Sequence, residues 1–301
     1  MLKKPRTLRK ELRKMRSLNA RMLLSDDDKW NYLNAEKGFA GELEFDKLTE
    51  KLQCQCLVIN DLQLKLNKSY FQIDTVIMYQ REIYLIDVKN FEGDFYYDAD
   101  GHLKKGNREI RNPINQLERC ENLFRQLLQN YGYKYHVESY LVHINPEFTL
   151  YQAPQNDHVI FPTQIKKFMK KLDKPYSILN EGHEKLAELL ISLDQEEFPF
   201  AEFPLYEYTH LQKGILSSSC HTLSTSLKGN TILCGLCGHE EYVDSAVLRC
   251  VRELVMLFPG IKITTNLVFE WCNEMVSKKT IRRILLQNYI AKGNTLGRYF
   301  E

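Results

Sequence analysis

The chain has 301 residues, long enough for two domains or one large one. Hydrophobic residues are 44% and charged residues 27%, an ordinary globular balance, and no apolar run approaches the roughly 18 to 20 residues of a membrane helix. A net charge of +2 excludes a basic field over the whole molecule. The basic amino-terminal stretch lacks the apolar core of a secretory signal, so the expectation is a cytoplasmic protein with reduced cysteines.

The first 21 residues carry nine Lys or Arg against one acid, Glu11. They read either as a solvated basic helix or as an arm that touches phosphate. The expected first segment, residues 1–28, is helical to about residue 24 and closed by a polar stretch from Ser25 to Asp28. Residues 29–53 read as a second helix, with Gly38 and Gly41 flanking Phe39, then Glu42, Phe45, Leu48 and Leu52 at helical spacing. A short strand is expected over 54–60, with Cys54 and Cys56 on one face as packing residues.

Residues 69–78 and 82–91 read as two apolar strands joined by a short polar turn. Residues 93–97 continue the sheet, and Asp98 to Gly101 make a turn. Asn112-Pro113 opens an amphipathic helix whose core stripe is Ile114, Leu117, Phe124, Leu127 and Leu128. Strands are expected over 137–144 and 158–161, and helices near 162–171 and 182–193. This order predicts an α/β fold, a mixed sheet flanked by helices. Residues 195–212 hold two prolines, several acids and no clear period, and read as a linker at a domain boundary.

Three charged residues sit where a strand pair does not need them. Asp74 lies inside the first apolar strand, and Asp87 and Lys89 lie two apart in the second, so their side chains share a face. Two carboxylates can hold a divalent cation such as Mg²⁺ or Mn²⁺, with the Val88 carbonyl as a third ligand. Lys89 can position water or offset charge on a phosphate. The bland reading is a solvent-facing Asp87–Lys89 pair and an Asp74 that ends a strand.

These residues resemble the D…(D/E)-x-K signature of the PD-(D/E)xK nuclease superfamily. More narrowly, residues 36–145 look like the nuclease-related domain (NERD) family. The resemblance rests on Gly41-Glu42, on Asp74 after Phe71-Gln72-Ile73, on Asp87-Val88-Lys89, and on Asn112-Pro113 followed by Gln116. It implies a restriction-endonuclease-like sheet over residues 29–194, with Glu42 joining the metal site and Gln116 facing the same pocket. Glu42 and Gln116 as helix-surface residues are the plainer alternative. Glu92 and Asp94 read as turn or sheet-edge residues.

Cys234-x-x-Cys237 has the form of a zinc knuckle, and 14 residues before it the chain reads Ser217-Ser218-Ser219-Cys220. Residues 213–242 thus resemble a zinc ribbon whose first cysteine is Ser217. Either Cys220, Cys234 and Cys237 bind zinc with His221 or His239, or the ribbon is degenerate and survives by packing. Cys120, Cys250 and Cys272 fit helix cores. Residues 243–301 look like a helix-turn-helix with a wing. Asp244 or Ser245, Thr264 or Thr265, and Ser277 are the expected caps. Lys278, Lys279, Arg282 and Arg283 lie near the start of the third helix, where a recognition helix meets DNA. A solvated basic face is the plainer reading.

The expectation is therefore a Mg²⁺-dependent nuclease hydrolysing phosphodiester bonds, in DNA rather than RNA, through a metal-activated water. The alternatives are a non-catalytic nucleic-acid-binding protein that keeps the fold, and an interaction module of a defence system. A homo-oligomer or a protein partner is compatible with each; a membrane is not.

Overall fold

The computed structural model describes residues 1–173, 177–195, 201–294 and 297–301. Two compact units form, Met1–Leu8 with Asn34–Pro199, and Arg9–Leu33 with Phe200–Glu301. No helix among the described residues is long and apolar enough to cross a membrane.

The chain opens with β1 (Leu2–Lys4), α1 (Lys10–Arg21) and α2 (Asp26–Thr49). The expected helix over 1–24 is thus corrected. A strand comes first, Pro5 follows it with no N–H to extend the ladder, and the helix spans 12 residues. Next come β2 (Leu57–Leu66), β3 (Ser69–Met78), β4 (Glu82–Lys89), β5 (Gly93–Tyr97), β6 (Leu103–Lys105) and β7 (Arg108–Glu109). Cys54 and Cys56 precede β2 rather than lying in it. The first unit closes with α3 (Pro113–Asn130), β8 (His136–His143), β9 (Phe148–Tyr151), β10 (Val159–Ile160), α4 (Ile165–Leu172) and α5 (Glu181–Ser192).

The main sheet has the order β1-β2-β3-β4-β8-β10. β2, β3 and β4 are antiparallel; β1 runs parallel to β2, and β8 and β10 run parallel to β4. The fold is the expected α/β plan, a mixed sheet between helix layers. Strand β4 carries an unbroken apolar run from Ile83 to Ile86 because both of its faces are covered there. Ile83 and Leu85 join the core under α3 and α5, while Tyr84, Ile86 and Val88 join the core under α2 and α4. A smaller sheet, β7-β6-β5-β9, packs Phe95, Tyr97, Leu103 and Phe148 together.

Two local features shape the site. The β2–β3 ladder pairs Asn60 with Thr75 and Leu62 with Ile73, and skips the rung between them, Asp61 and Asp74. Asp61 takes a left-handed backbone there, with φ of 57°. At the start of α3, Asn112 caps the helix by accepting the Ile114 N–H at 3.0 Å, with Pro113 in the first turn.

The second unit contains α1, β11 (Thr225–Lys228), β12 (Thr231–Cys234), β13 (Glu240–Tyr242), α6 (Val243–Leu257), α7 (Thr265–Trp271), α8 (Lys278–Asn288), β14 (Ala291–Lys292) and β15 (Tyr299–Phe300). Leu18, Val247, Leu254, Trp271, Ile281 and Ile284 belong to its core. Thr264 and Ser277 cap α7 and α8 as expected, but α6 starts at Val243 with no side-chain cap. β14 and β15 pair as an antiparallel wing. Residues 295–296 of the expected wing, and 196–200 of the expected linker, lie outside the described residues.

Candidate active site

The β3–β4 register pairs Thr75 with Ile86 and Val76 with Leu85, which brings Asp74 beside Asp87 on the next rung. Both carboxylates are buried. The Val88 N–H donates to Asp74 Oδ2 at 2.8 Å, so Asp74 reaches across to the strand that carries Asp87 and Lys89. Val88 meets the site through its main chain, its side chain lying in the core. Lys89 Nζ donates to Asp87 Oδ1 at 2.9 Å and stands 2.8 Å from Oδ2. The second contact is an ion pair rather than a hydrogen bond, and Oδ2 accepts none among the described residues.

Glu42 lies on α2, one residue after Gly41. A Cβ on Gly41 would stand 2.6 Å from Asn90 Cβ and 3.0 Å from Ile144 Cγ2. The missing side chain therefore lets α2 press against the end of β4. Asn90 fastens that contact by donating to the Lys37 carbonyl at 2.8 Å.

The Glu42 carboxylate is held by a residue not foreseen, Arg6. Nη1 of Arg6 donates to Glu42 Oε2 at 2.6 Å. Its Nε and Nη2 fork onto the two oxygens of Asp46 at 2.9 and 3.0 Å, and Nη2 also donates to the Asp74 carbonyl at 2.7 Å. The Arg6 side chain is 1% exposed.

Burial raises the pKa of Asp74 well above the carboxylate range, reinforced by Glu42 and Asp87; Lys89 and the Val88 N–H pull the other way. Burial also raises Glu42, against the pull of Arg6. Burial opposes the Lys89 ammonium, but Asp87 and Asp74 more than offset it, and its pKa is raised. His143, paired with Lys89 across β4 and β8, was also not foreseen. Burial and then Lys89 lower its pKa to about 3, so the imidazole is neutral near pH 7. It stacks on Phe148 with ring centroids 3.9 Å apart.

The structure brings Glu42, Asp74, Asp87 and Lys89 into one electrostatic group. Gln116, on the first turns of α3, forms no hydrogen bond with them among the described residues. Cys120, one turn further on, packs against β3, its Sγ 3.5 Å from the Gln72 carbonyl. Glu92 pairs with Lys37 away from it. The donors are two buried carboxylates and a half-buried one, with an Asp87 oxygen that accepts no hydrogen bond, and this chemistry fits a hard divalent cation. The Glu42, Asp74 and Asp87 oxygens do not all lie within 4.8 Å of one another.

In the second unit the Sγ atoms of Cys220, Cys234 and Cys237 do converge within 4.8 Å. Cys220 and Cys234 are 3.5 Å apart, and Ser217 Oγ stands 3.6 Å from Cys237. The His239 N–H, and then Ser217, lower the Cys237 thiol to about 6. The ring nitrogens of His221 and His239 lie outside this 4.8 Å group. On α8, Lys278, Lys279, Arg282 and Arg283 are exposed. Lys278, Lys279, Arg282 and Arg283, with Thr264 and Arg298, line a concave surface of about 810 Å³. Arg283 is committed to a bidentate pair with Asp244, at 2.7 and 2.9 Å.

No curated protein matches the chain. Among solved structures, protein VC1899 from Vibrio cholerae is similar at 9% identity and a TM-score of 0.25, over 57% of this chain and 38% of that one. This chain thus spans well under half of that protein, and so low a TM-score carries no argument. The model of the nuclease-related domain family matches residues 37–144, which contain Glu42, Asp74, Asp87, Lys89, Gln116 and His143. Over residues 37–144, then, the chain is similar to the nuclease-related domain family.

Proposed function

We propose that the first unit is a Mg²⁺- or Mn²⁺-dependent nuclease that hydrolyses phosphodiester bonds, in DNA rather than RNA. One observation carries this reading: Asp74, Asp87 and Lys89 meet on adjacent strands, inside the matched domain, with both acids buried. Buried acids left in mutual repulsion are a poor way to stabilise a fold and a good way to receive a cation.

Glu42, Asp74 and Asp87, with the Val88 carbonyl, would hold the ion. A divalent cation bound there supplies Lewis-acid stabilisation of the phosphate and lowers the pKa of a coordinated water. Lys89 keeps its proton, because its pKa is raised, and so presents a fixed positive charge to the scissile phosphate. Its hydrogen bond to Asp87 fixes where that charge sits. His143 stays neutral beside it and adds no competing charge. Gln116 would enter the pocket from α3 on substrate binding.

The choice of DNA rests on the second unit. Its helices α6, α7 and α8 with the β14–β15 wing support a DNA-contacting module, with Lys278, Lys279 and Arg282 as the phosphate-facing residues. Arg283 lines the same surface while paired with Asp244. The three converging thiols support a zinc ion bound by Cys220, Cys234 and Cys237, which have the soft donors zinc takes.

Purified protein should cut single- or double-stranded DNA when Mg²⁺ or Mn²⁺ is added, and RNA less well. No cleavage of any of these nucleic acids would contradict the proposal. Lys278→Glu with Arg282→Glu should weaken DNA binding and flatten its salt dependence; an unchanged slope would remove the second unit from recognition. One observation favours a binding-only protein instead: Glu42 Oε2 is already engaged by Arg6.

A further inference from the structure

We infer that Arg6 is a positioning residue of the nuclease site, acting through Glu42; this rests on the nuclease reading above. Arg6 lies outside the matched domain, 36 residues before Glu42, on the segment that follows β1. Its placement is built in three steps. Strand β1 runs parallel to β2, pairing Leu2 with Val58 and Lys4 with Ile59. Lys4 ties the end of that strand down, donating to the Asn60 carbonyl at 3.0 Å and pairing with Asp194 at 3.1 Å. Pro5 then turns the chain with a fixed φ, and Arg6 enters the space between α2 and β3.

The guanidinium is not free to search. Asp46 takes its Nε and Nη2 in a fork, and the Asp74 carbonyl and Thr75 hydroxyl take Nη2 again, at 2.7 and 3.3 Å. Only Nη1 is left to reach Glu42, and it does so at 2.6 Å. Asp46 is one helical turn after Glu42, so the two acids share a face of α2 and one planar cation serves both. A flexible Glu side chain is thereby held in one rotamer, with Oε2 committed to Arg6. The same guanidinium touches the residue that carries the Asp74 carboxylate, so helix and strand are locked to each other. Partners of this kind, one step removed from the ion, set the direction of a ligand and commonly change metal affinity tenfold or more when removed.

The test is calorimetric titration of Mg²⁺ and Mn²⁺ into the full-length protein, with thermal melts to verify folding. Arg6→Lys keeps the charge but loses the fork. Asp46→Asn keeps Arg6 but loosens its anchor. Both should weaken ion affinity by about tenfold, and Arg6→Ala by more. In a Glu42→Gln background, Arg6→Lys should add little, because its target has been altered. Folded variants that bind the ion as the parent does, or more tightly, would overturn the inference and leave the nuclease reading intact. So would an equal loss in the Glu42→Gln background, since Arg6 would then act elsewhere. A parent protein that binds neither ion would remove the nuclease reading and this inference with it.

Discussion

Asp74 Oδ2 accepts the Val88 N–H at 2.8 Å, and this single bond reaches from β3 to the residue between Asp87 and Lys89. The skipped rung at Asp61 and Asp74 locates it at a break in the ladder on the other side. A carboxylate is thus directed by one neighbouring strand while unpaired from the other.

Asp74 should be a destabilising residue in the metal-free protein. Burial, with Glu42 and Asp87, raises its pKa, so the folded state holds its proton more tightly than the unfolded chain does. The stability this gives is fully present below the ordinary carboxylate pKa and is lost as pH rises through the raised one. The strain grows as pH rises from the ordinary carboxylate range toward the raised pKa. Asp74→Asn, which can still accept the Val88 N–H, should stabilise the metal-free protein at pH 7 by about 1 kcal/mol, with the gain fading toward about pH 4. Denaturant melts at both pH values measure this; a destabilised variant at pH 7 would contradict it.

Gly41→Ala should be destructive although alanine favours helix. The added Cβ would meet Asn90 Cβ at 2.6 Å, and Asn90 is itself tied to Lys37. Helix α2 must then move, and Glu42 with it. A loss of about 1–3 kcal/mol is expected. Gly38→Ala, where nothing lies within 4 Å, is the control and should be neutral or mildly stabilising. Equal effects at the two glycines would contradict the close approach.

Arg21 is expected to hold the second unit together rather than to touch nucleic acid. It is fully buried, forks onto Glu253 at 2.9 and 2.7 Å, and lies 4.0 Å over the Trp271 ring. Its Nη1 and Nη2 also donate to the Gln212 and Gly214 carbonyls at 2.6 and 3.0 Å. Arg21→Ala strips the buried Glu253 carboxylate of its counter-ion, leaving it the Trp271 Nε1–H at 3.3 Å, and should cost about 3–5 kcal/mol in denaturant unfolding of the full chain. A loss under 1 kcal/mol would contradict this role.

Ser217 stands where a fourth thiolate would complete the cysteine cluster. The parent protein should carry zinc through purification and lose it readily to a chelator. Ser217→Cys should tighten zinc by roughly tenfold or more, and Cys237→Ser should abolish it. Metal analysis before and after chelation checks both. A parent with no zinc, and a Ser217→Cys variant that gains none, would mark the ribbon as held by packing alone.

Much of the first unit is legible because its signals are local. Acids inside an apolar strand mark Asp74 and Asp87, and a cap followed by proline marks the start of α3 at Asn112-Pro113. Arg6 and Asp46 carry no such signal. Nothing local ties residue 6 to residue 42, and a three-residue parallel strand such as β1 has no turn to announce it. Its basic neighbours look like an extension of α1. His143 reads as one more residue of a buried strand; only the β4–β8 register places it beside Lys89. The cysteine cluster is half legible. C-x-x-C and Ser217 follow from spacing, while His221 takes a left-handed turn, with φ of 55°, and stays out of the cluster.

The most direct test is cleavage by Asp87→Ala and Lys89→Ala variants beside the parent, with Mg²⁺ or Mn²⁺, on the DNA that the parent cuts best. Both should fold, bind DNA through the second unit, and lose cleavage by about 10²–10³-fold or more. Variants that cut as well as the parent would show that the chemistry lies elsewhere, and the account of this site would be wrong.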